Sequence, residues 1–304
     1  MTPYPSTIYI GVGTVCGYNC IYCNNPRMLN KKSLRIGAIR NLLDEFPAAT
    51  KCDVGGYGEF LLHPDFEEIV AMLTARNMPF SFSTNGQELA PWRQALLRRS
   101  SLWLANFSMN TFEPELHKFM SGGVSNFPEV LGNFSAFCFK PRSYKVNASM
   151  VVNRFNFREM PDFVAKAAHY GADSVRLSAP VREIEYPHGF DLVNDAAEEE
   201  SLLRAHEVGK EWGIEVGGMM AGHMAESDGP RARIPIHKCR APWSTTCINE
   251  DGTVTPCCFG SSYPVGNVND QPFKEIWGGP KMTDLREAIT AGSNLLCKNC
   301  MEFA

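Results

Sequence analysis

The sequence predicts an α/β fold built on a parallel sheet, and two observations indicate it. From Ser6 to about Gly217, short apolar runs alternate with segments of helical periodicity, the order that produces parallel strands joined by right-handed crossovers. About six such units follow one another, which is more than a flavodoxin-like sheet holds and fewer than a complete eight-unit barrel. We therefore predict a partial (β/α)6 TIM-like barrel whose active site lies at the carboxyl ends of its strands.

The predicted strands are the apolar runs, each bounded by turn residues or by a helical pattern. They are Thr7–Val12, Cys52–Val54, Pro79–Ser83, Leu102–Met109, Tyr144–Val152, Ser174–Leu177 and Ile214–Val216. The predicted helices are Leu34–Phe46, Pro64–Arg76, Pro91–Arg98, Pro114–Met120, Pro128–Phe137, Arg158–His169 and Asp195–Trp212. Four of these helices begin with proline, which suits a first helical turn because its missing N–H has no intrahelical partner there.

The character of the chain changes after Gly217. Residues 218–238 are rich in Gly and Met and predict a connector. Beyond Cys239, two short β patterns flank Glu250-Asp251-Gly252, which predicts a β-hairpin with a glycine turn. Short helices are predicted at Phe273–Trp277 and Pro280–Ala291. We expect a core domain at 1–217, the connector at 218–238 and a small cysteine-rich domain at 239–304.

Composition and charge weigh against several classes of protein. The chain has 304 residues and a net charge of −4, so we expect no nucleic-acid partner, because such partners are held by excess positive charge. It has no apolar run of about 18 residues, so we predict no membrane span. The first residues, Met1–Pro5, lack the basic and apolar regions of a signal peptide. We therefore expect a cytoplasmic protein.

The eleven cysteines indicate metal binding rather than disulfide formation. Cys16, Cys20 and Cys23 follow the first strand at the spacing C-x3-C-x2-C. Three thiolates can hold three irons of a [4Fe-4S] cluster and leave the fourth iron open to another ligand. Zinc would require a fourth protein ligand, and no His or Cys follows Cys23 within this loop. Structural zinc and three unrelated loop cysteines are the alternatives.

This loop resembles the C-x3-C-x-aromatic-C motif of radical S-adenosylmethionine (SAM) enzymes, with Tyr22 as the aromatic residue. Further residues at successive strand ends extend the resemblance, beginning with Gly55-Gly56-Tyr57-Gly58-Glu59, which is similar to the element that holds the methionine amino group in that family. The residues that the resemblance implies for SAM binding are Tyr22, Gly56, Gly58, Glu59, Ser83, Asn85, Ser108, Asn110 and Asn153.

The resemblance also implies a reaction. In this family SAM binds the open iron of the cluster, and one electron from the reduced cluster cleaves its carbon–sulfur bond. The resulting 5′-deoxyadenosyl radical abstracts a hydrogen atom from the substrate, while the protein binds, orients and excludes water. We therefore expect an enzyme that uses SAM and receives electrons from a partner such as flavodoxin or ferredoxin.

The C-terminal cysteines resemble a second known pattern. Cys239, Gly252 and Cys257 fit the opening of SPASM and twitch domains, and Cys297 and Cys300 supply a closing C-x2-C. The short form is similar to that of 2-deoxy-scyllo-inosamine dehydrogenase, which implies an auxiliary [4Fe-4S] cluster on these four cysteines. A zinc ribbon is the alternative.

An auxiliary cluster with four protein ligands favours electron transfer over substrate binding. The leading prediction is therefore a radical SAM oxidoreductase that oxidises a C–H carbon of a small polar substrate, a sugar or aminocyclitol bearing an alcohol or amine. The first strand begins by residue 7, so we expect no preceding peptide-binding module.

Three other functions are considered. In a redox-neutral epimerase, Cys247 or Cys258 would return a hydrogen atom to the substrate, although the sequence favours a buried thiol near the cluster as the interpretation of each. A peptide-modifying SPASM maturase would oxidise or crosslink a side chain. A zinc-stabilised binding module would have no catalytic activity.

Overall fold

A computed structural model of the chain describes residues 4–23, 31–180, 196–218, 238–258 and 263–293. The strands are β1 (Thr7–Gly11), β2 (Lys51–Gly55), β3 (Phe80–Thr84), β4 (Leu102–Phe107), β5 (Lys145–Val151), β6 (Ser174–Ser178), β7 (Glu215–Gly217), β8 (Thr245–Ile248), β9 (Thr253–Thr255) and β10 (Gly266–Asn267). The helices are α1 (Ile36–Glu45), α2 (Phe66–Ala75), α3 (Pro91–Arg98), α4 (Pro114–Met120), α5 (Phe127–Cys138), α6 (Met160–His169), α7 (Ala196–Trp212), α8 (Ala241–Ser244), α9 (Phe273–Trp277) and α10 (Pro280–Thr290).

The chain divides into two compact units, and the division falls within β3. The first unit contains Met1–Val15, Lys31–Ser81 and Asp228–Ala304, and the second contains Cys16–Asn30 and Phe82–Ser227. In the first unit the strand order is β10-β9-β8-β1-β2, followed by the start of β3. In the second unit the end of β3 is followed by β4-β5-β6-β7.

The pairing confirms an α/β fold on a parallel sheet. β1 is parallel to β2, and the series β4, β5, β6 and β7 is parallel throughout. The predicted hairpin is also confirmed, because β8 and β9 pair antiparallel across a turn whose Gly252 has φ +83°. The sequence did not predict that β8 pairs parallel with β1, in the register Thr7 to Thr245.

Each unit has its own buried core. In the first, β1 buries Ile8 and Ile10, and α1 buries Ile39. In the second, the core is aromatic: the ring centroid of Phe107 lies 5.2 Å from that of Phe134 and 5.7 Å from that of Phe137. The contact with Phe134 is edge-to-face and that with Phe137 is tilted, and such aromatic packing stabilises the core beyond the effect of buried area alone.

Helix α2 begins two residues later than the sequence predicts. Pro64 was expected at its first turn, but the backbone forms a short 3₁₀ turn at Phe60–Leu62, and α2 starts at Phe66. Here the N–H of Phe66 donates to the His63 carbonyl at 3.1 Å and closes a separate turn, and Asp65 has the non-helical φ −103° and ψ 28°.

A buried ion pair fixes the start of β5. Arg142, whose side chain is 3% exposed, lies 2.7 Å from Asp173 and donates to the carbonyls of Cys138, Tyr144 and Gly171. Burial alone would raise the pKa of Asp173, but hydrogen bonds from the guanidinium and from a backbone N–H outweigh it and lower the pKa.

Within the described residues, none of the helices has both the length and the hydropathy needed to cross a bilayer.

Candidate active site

The backbone that follows β1 is tightly held within the first unit. Thr14 is fully buried; its N–H donates to the carbonyl of Lys32 at 2.8 Å, and the N–H of Lys32 donates to Oγ1 of Thr14 at 2.8 Å. Val15 and the first cysteine, Cys16, come next in the chain. This reciprocal pair therefore fixes the backbone two residues before the first thiol.

The glycine-rich turn after β2 lies against the same segment. The N–H of Gly58 donates to the carbonyl of Gly13 at 3.0 Å, and the N–H of Glu59 donates to that of Val15 at 2.8 Å. A Cβ on Gly58 would lie 2.5 Å from the Gly13 oxygen and 2.7 Å from the Val15 oxygen, closer than real Cβ contacts. Gly56 has φ +118°, a conformation that side chains rarely adopt. Glycine is therefore required at two predicted SAM-binding positions, by backbone proximity at Gly58 and by backbone conformation at Gly56.

Glu59 is buried beside this turn. Its side chain is 5% exposed, and Oε1 accepts a hydrogen bond from the N–H of Leu61 at 3.3 Å, capping the 3₁₀ turn. The cap fixes the position of the carboxylate.

The cysteine loop is anchored in the second unit through its backbone. The N–H of Asn19 donates to the carbonyl of Ser121, and the N–H of Ile21 donates to that of Met120, each at 3.1 Å. Cys20 lies between these two anchors. A turn in which the N–H of Cys23 donates to the Cys20 carbonyl at 3.1 Å brings the second and third cysteines together.

The three thiols have the surroundings of an iron–sulfur site. The N–H of Tyr18 donates to Sγ of Cys16 at 3.4 Å, and Nδ2 of Asn85 lies 4.0 Å from the same sulfur. Burial raises the pKa of the Cys20 thiol to about 12, while a hydrogen bond from Tyr22 acts in the opposite direction and the charges of the other two thiols add to the rise. Three mutually interacting thiols with donors near sulfur fit the ligand set of a [4Fe-4S] cluster with one open iron.

Tyr22 links this loop to the end of β4. Its hydroxyl accepts a hydrogen bond from Nδ2 of Asn110 at 2.6 Å and donates to the Cys20 sulfur. Burial is the main reason that the pKa of Tyr22 lies well above its ordinary value, so the hydroxyl keeps its proton. An amide, a hydroxyl and a thiol thus form one hydrogen-bonded series.

Asn110 uses its whole side chain within the protein. It has the left-handed φ of +60°; Nδ2 donates to the Ser108 carbonyl at 3.0 Å as well as to Tyr22, and Oδ1 accepts from the N–H of Val151 at 2.9 Å. Its carbonyl accepts from Nδ2 of Asn156 at 2.9 Å. These bonds tie the ends of β4 and β5 together; the predicted contact of Asn110 with SAM stays a prediction.

The side chain of Asn153 likewise forms hydrogen bonds with the backbone of its own loop. It is fully buried; Nδ2 donates to the Val151 carbonyl at 2.8 Å, and Oδ1 accepts from the N–H of Phe155 at 2.9 Å. This is the geometry of a turn-forming asparagine. Its predicted role in SAM binding also stays a prediction.

The remaining predicted SAM-binding residues lie at the ends of β3 and β4. Oγ of Ser83 accepts from Nδ2 of Asn106 at 3.1 Å, and Oδ1 of Asn85 accepts from the N–H of Gln87 at 2.9 Å. The N–H of Ser108 donates to the carbonyl of Thr84 at 2.8 Å, which aligns the two strand ends.

The C-terminal cysteines of the described residues lie in the first unit. Cys239 and Cys247 are buried, Cys257 is half-buried and Cys258 is exposed. Cys247 on β8 forms a hydrogen bond with Cys258; this bond and then burial raise the pKa of Cys247. Oγ1 of Thr255 donates to the carbonyl of Cys257 at 3.2 Å and fixes the backbone at that predicted ligand.

Cys297 and Cys300, the other predicted auxiliary ligands, lie outside the described residues. Across the part of the chain that is described, no three His, Cys, Asp or Glu side chains converge as a single metal ion requires. A [4Fe-4S] cluster has a different requirement, because each thiolate binds its own iron.

The comparison with protein families distinguishes between the iron–sulfur and zinc interpretations of these cysteine motifs. The sequence model of the family described as the radical SAM superfamily matches residues 10–167. The chain belongs to the radical SAM superfamily. A second match, described as an iron–sulfur cluster-binding (SPASM) domain, covers residues 239–301. This radical SAM enzyme uses SAM and two [4Fe-4S] clusters.

Curated relatives of this radical SAM enzyme match nearly its whole length. Mycofactocin maturase MftC of Mycolicibacterium smegmatis is 26% identical over 297 residues, covering 95% of this chain and 73% of the relative. AdoMet-dependent heme synthase of Methanosarcina barkeri is 24% identical over 300 residues, covering 91% of this chain and 83% of the relative.

Solved structures share the fold. SuiB of Streptococcus suis bound to S-adenosylmethionine has a TM-score of 0.74 at 14% identity, covering 93% of this chain and 68% of SuiB. The enzyme anSMEcpe with bound AdoMet and the Cp18Cys peptide has a TM-score of 0.68 at 17% identity, covering 97% of this chain and 85% of that one. The predicted fold class is therefore confirmed.

Sequence reasoning missed two residues that shape this site. Thr14 was passed over because a lone threonine before a cysteine gives no signal of its bond with Lys32. Asn156 had a usable signal, since two asparagines three residues apart after a strand, Asn153 and Asn156, are typical of a side-chain-stabilised turn.

Proposed function

We propose that this radical SAM enzyme modifies a peptide, removing a hydrogen atom from one of its residues. The observation that supports this most is the similarity to mycofactocin maturase, which extends over 95% of the chain and through both the radical SAM and SPASM matches. SuiB, which shares the fold, has been solved bound to its precursor peptide SuiA, at a TM-score of 0.73. These similarities favour the peptide-modifying maturase, which was an alternative in the sequence analysis, over an enzyme that oxidises a sugar or aminocyclitol.

The proposed roles of the chain's own residues follow from their positions. Cys16, Cys20 and Cys23 would hold the first cluster, and Cys239, Cys257, Cys297 and Cys300 the auxiliary cluster. SAM bound beside the first cluster would supply the radical chemistry that removes a hydrogen atom from the peptide. The residues proposed to bind or frame SAM are Tyr22, Gly56, Gly58, Glu59, Ser83, Asn85, Ser108, Asn110 and Asn153. The proposed domains are 1–217 and 239–304, joined by 218–238.

Within this set, Glu59 is the residue best prepared to orient SAM. Its carboxylate is buried and capped, and its backbone is fixed to Val15 by a 2.8 Å hydrogen bond. A buried carboxylate pairs strongly with an ammonium group because little water competes for either partner.

The auxiliary cluster that the C-terminal cysteines would hold would supply an acceptor for the electron that the peptide radical gives up. A redox-neutral reaction is the second candidate function. In that reaction Cys258 is favoured over Cys247 as the hydrogen donor, because Cys258 is exposed and Cys247 is buried. Replacement of Cys258 by Ala would then stop product formation while SAM cleavage continues, whereas the same change at Cys247 would not.

The test uses anaerobically reconstituted enzyme and a Cys16→Ala/Cys20→Ala/Cys23→Ala variant. We expect about eight irons in the wild type and about four in the variant, and 5′-deoxyadenosine from the wild type alone. Synthetic peptides corresponding to short reading frames beside the gene are then added, with 2-deoxy-scyllo-inosamine as the small-molecule comparison. A peptide whose mass falls by two hydrogens, with stimulated SAM cleavage, supports the proposal. Oxidation of the aminocyclitol with no modified peptide would contradict it.

A further inference from the structure

One face of the sheet in the second unit carries polar side chains. Successive side chains of a strand point to opposite faces, and along β5 and β6 every second position is apolar and buried. These positions are Val146, Ala148, Met150, Val175 and Leu177. The opposite face includes Asn147, Ser149, Ser174, Arg176 and Ser178. Parallel sheets are ordinarily covered by apolar packing on both faces, so the polar face indicates a surface that binds something other than the helices of the fold.

Hydrogen bonds join polar side chains of β3, β4, β5 and β6 into a row across this face. Oγ of Ser174 donates to Oδ1 of Asn147 at 2.9 Å. Nδ2 of Asn147 donates to Oδ1 of Asn106, and Nδ2 of Asn106 donates to Oγ of Ser83 at 3.1 Å. Each amide in the row therefore has a partner within the row, and the row itself carries no charge.

Arg176 lies one step beyond this row, toward the carboxyl ends of the strands. It is exposed in the middle of β6, although β6 pairs in parallel with β5 on one side and β7 on the other. Its Nε donates to Oγ of Ser178 at 3.2 Å, which directs the guanidinium toward the end of β6, where active sites of such folds lie. None of the described carboxylates forms an ion pair with Arg176, so the N–H donors of its terminal nitrogens are available to a ligand.

Among the described strands of the second unit, Lys145 and Glu215 are the other charged residues on this face. Glu215, at the start of β7, is in register with Ser174, so it lies at the level of the uncharged row. Lys145, at the start of β5, is in register with Leu104 and lies a further step toward the amino ends. Of these charges, that of Arg176 lies nearest the carboxyl ends of the strands.

Arg176 also lies close to the residues that anchor the cysteine loop. It is in register with Ser149 on the neighbouring strand β5. The carbonyl of Ser149 accepts a hydrogen bond from the N–H of Asn110 at 3.0 Å, and Nδ2 of Asn110 donates to Tyr22 of the cysteine loop at 2.6 Å. A group bound by the guanidinium therefore lies at the strand ends from which this loop is held.

We propose that Arg176 binds a carboxylate of the peptide substrate and so positions the residue from which hydrogen is removed. Arginine suits this role because its planar fork of N–H groups matches the two oxygens of a carboxylate. The C-terminal carboxylate of a peptide and the side chain of an Asp or Glu share this chemistry, and the experiment distinguishes them. The proposal rests on the proposed peptide-modifying function and adds the class of group that the enzyme recognises.

The test uses the reconstituted holoenzyme and a synthetic peptide that it modifies. Arg176→Gln removes the charge, and Arg176→Lys keeps the charge without the fork. The matched control is Lys145→Gln, which removes an exposed cation from the same face nearer the amino ends. The peptide is used unchanged, with an amidated C-terminus, and with its Asp and Glu residues replaced by Asn and Gln. KM and kcat are measured for each peptide, and SAM binding is measured by equilibrium dialysis.

We expect the KM of Arg176→Gln for the unchanged peptide to rise about 10- to 100-fold. Arg176→Lys should recover part of this loss, and Lys145→Gln should keep the wild-type KM. SAM binding, and SAM cleavage in the absence of peptide, should stay at the wild-type level in all variants. One of the two neutralised peptides should raise the KM of the wild type by a similar factor but leave that of Arg176→Gln unchanged, because the same interaction is lost only once. The peptide that does so identifies the carboxylate.

A KM of Arg176→Gln equal to that of Lys145→Gln would overturn the proposal, and so would a wild-type KM that neither neutralised peptide changes. Weaker SAM binding by Arg176→Gln would also overturn it, because the guanidinium would then hold the carboxylate of SAM. A wild-type enzyme that modifies no peptide would refute the proposed function and this proposal together. Failure of the proposal alone is thus distinguished by a wild type that modifies the peptide and an Arg176→Gln variant that does so equally well.

Discussion

Replacement of Gly58 by Ala probes the turn after β2, whose backbone is hydrogen-bonded to Gly13 and Val15. The new Cβ would lie 2.5 Å from the Gly13 oxygen, and ordinary contact begins near 3.4 Å. The backbone at Gly58 and the backbone at Gly13 must therefore move apart by about 0.9 Å. That movement lengthens the 3.0 Å bond from Gly58 N–H to Gly13 past the hydrogen-bond range and strains the adjacent 2.8 Å bond from Glu59 N–H to Val15. Two weakened backbone bonds in a partly buried turn predict a loss of about 2–4 kcal/mol of unfolding free energy.

The matched control is Gly55→Ala, three residues earlier. Nothing lies within 4 Å of a Cβ at Gly55, and its φ is not in the left-handed region, so we expect a change within about 0.5 kcal/mol. Urea unfolding of the apoprotein, followed by circular dichroism, measures both variants, and equilibrium dialysis with SAM measures binding by the reconstituted enzyme. Gly58→Ala should also weaken SAM binding, because Glu59 moves with the turn. Equal unfolding midpoints for the two variants would refute the steric argument.

Three further predictions concern the second unit. Tyr22→Phe removes the hydroxyl that donates to the Cys20 sulfur, so the midpoint potential of the first cluster should fall by tens of millivolts. EPR during a redox titration measures this potential. An unchanged potential would contradict the hydrogen-bonded series of Asn110, Tyr22 and Cys20. Asp173→Asn leaves the guanidinium of Arg142 buried without a carboxylate and should lower the free energy of unfolding by about 3 kcal/mol at pH 7. Because the folded pKa of Asp173 lies below its ordinary value, the difference in stability from wild type should disappear as the pH falls through that folded pKa. A difference in stability that is independent of pH would argue against the ion pair. Burial lowers the pKa of His117 from 6.5 to about 4. Protonation therefore favours the unfolded chain, and about 3 kcal/mol of stability that is present above pH 6.5 should be lost between pH 6.5 and 4. The His117→Gln variant should lack that part of the pH dependence in urea titrations.

Local patterns predicted most elements of the fold. The apolar runs and proline signals located α3 and α4 to the residue, because proline at the first helical position is both a sequence signal and a structural requirement. Helix α2 starts two residues later than predicted because a separate turn, closed by the Phe66 N–H and the His63 carbonyl, precedes it, and hydrophobic periodicity does not predict such a turn.

The parallel pairing of β8 with β1 could not be predicted in the same way. Thr7 and its partner Thr245 are separated by 238 positions, and nothing in either short strand identifies the other. The two strands of a hairpin can be predicted from the turn that joins them, as the turn at Gly252 predicts the pairing of β8 with β9. A parallel pair formed across most of the chain is determined by the completed fold instead.

Strand ends located the site but did not assign a role to each residue in it. Asn110 and Asn153 were both predicted to touch SAM because they follow strands, yet the structure commits most of their hydrogen-bonding groups to the protein. The choice of asparagine has a physical reason at Asn110, where the left-handed φ of +60° disfavours most side chains and the amide must donate twice and accept once. Glycine would adopt the backbone but lose the bonds, and aspartate would keep the shape but lose both donors. A polar residue at a strand end can therefore be needed to position the cysteine loop through Tyr22 even where it makes no contact with the cofactor.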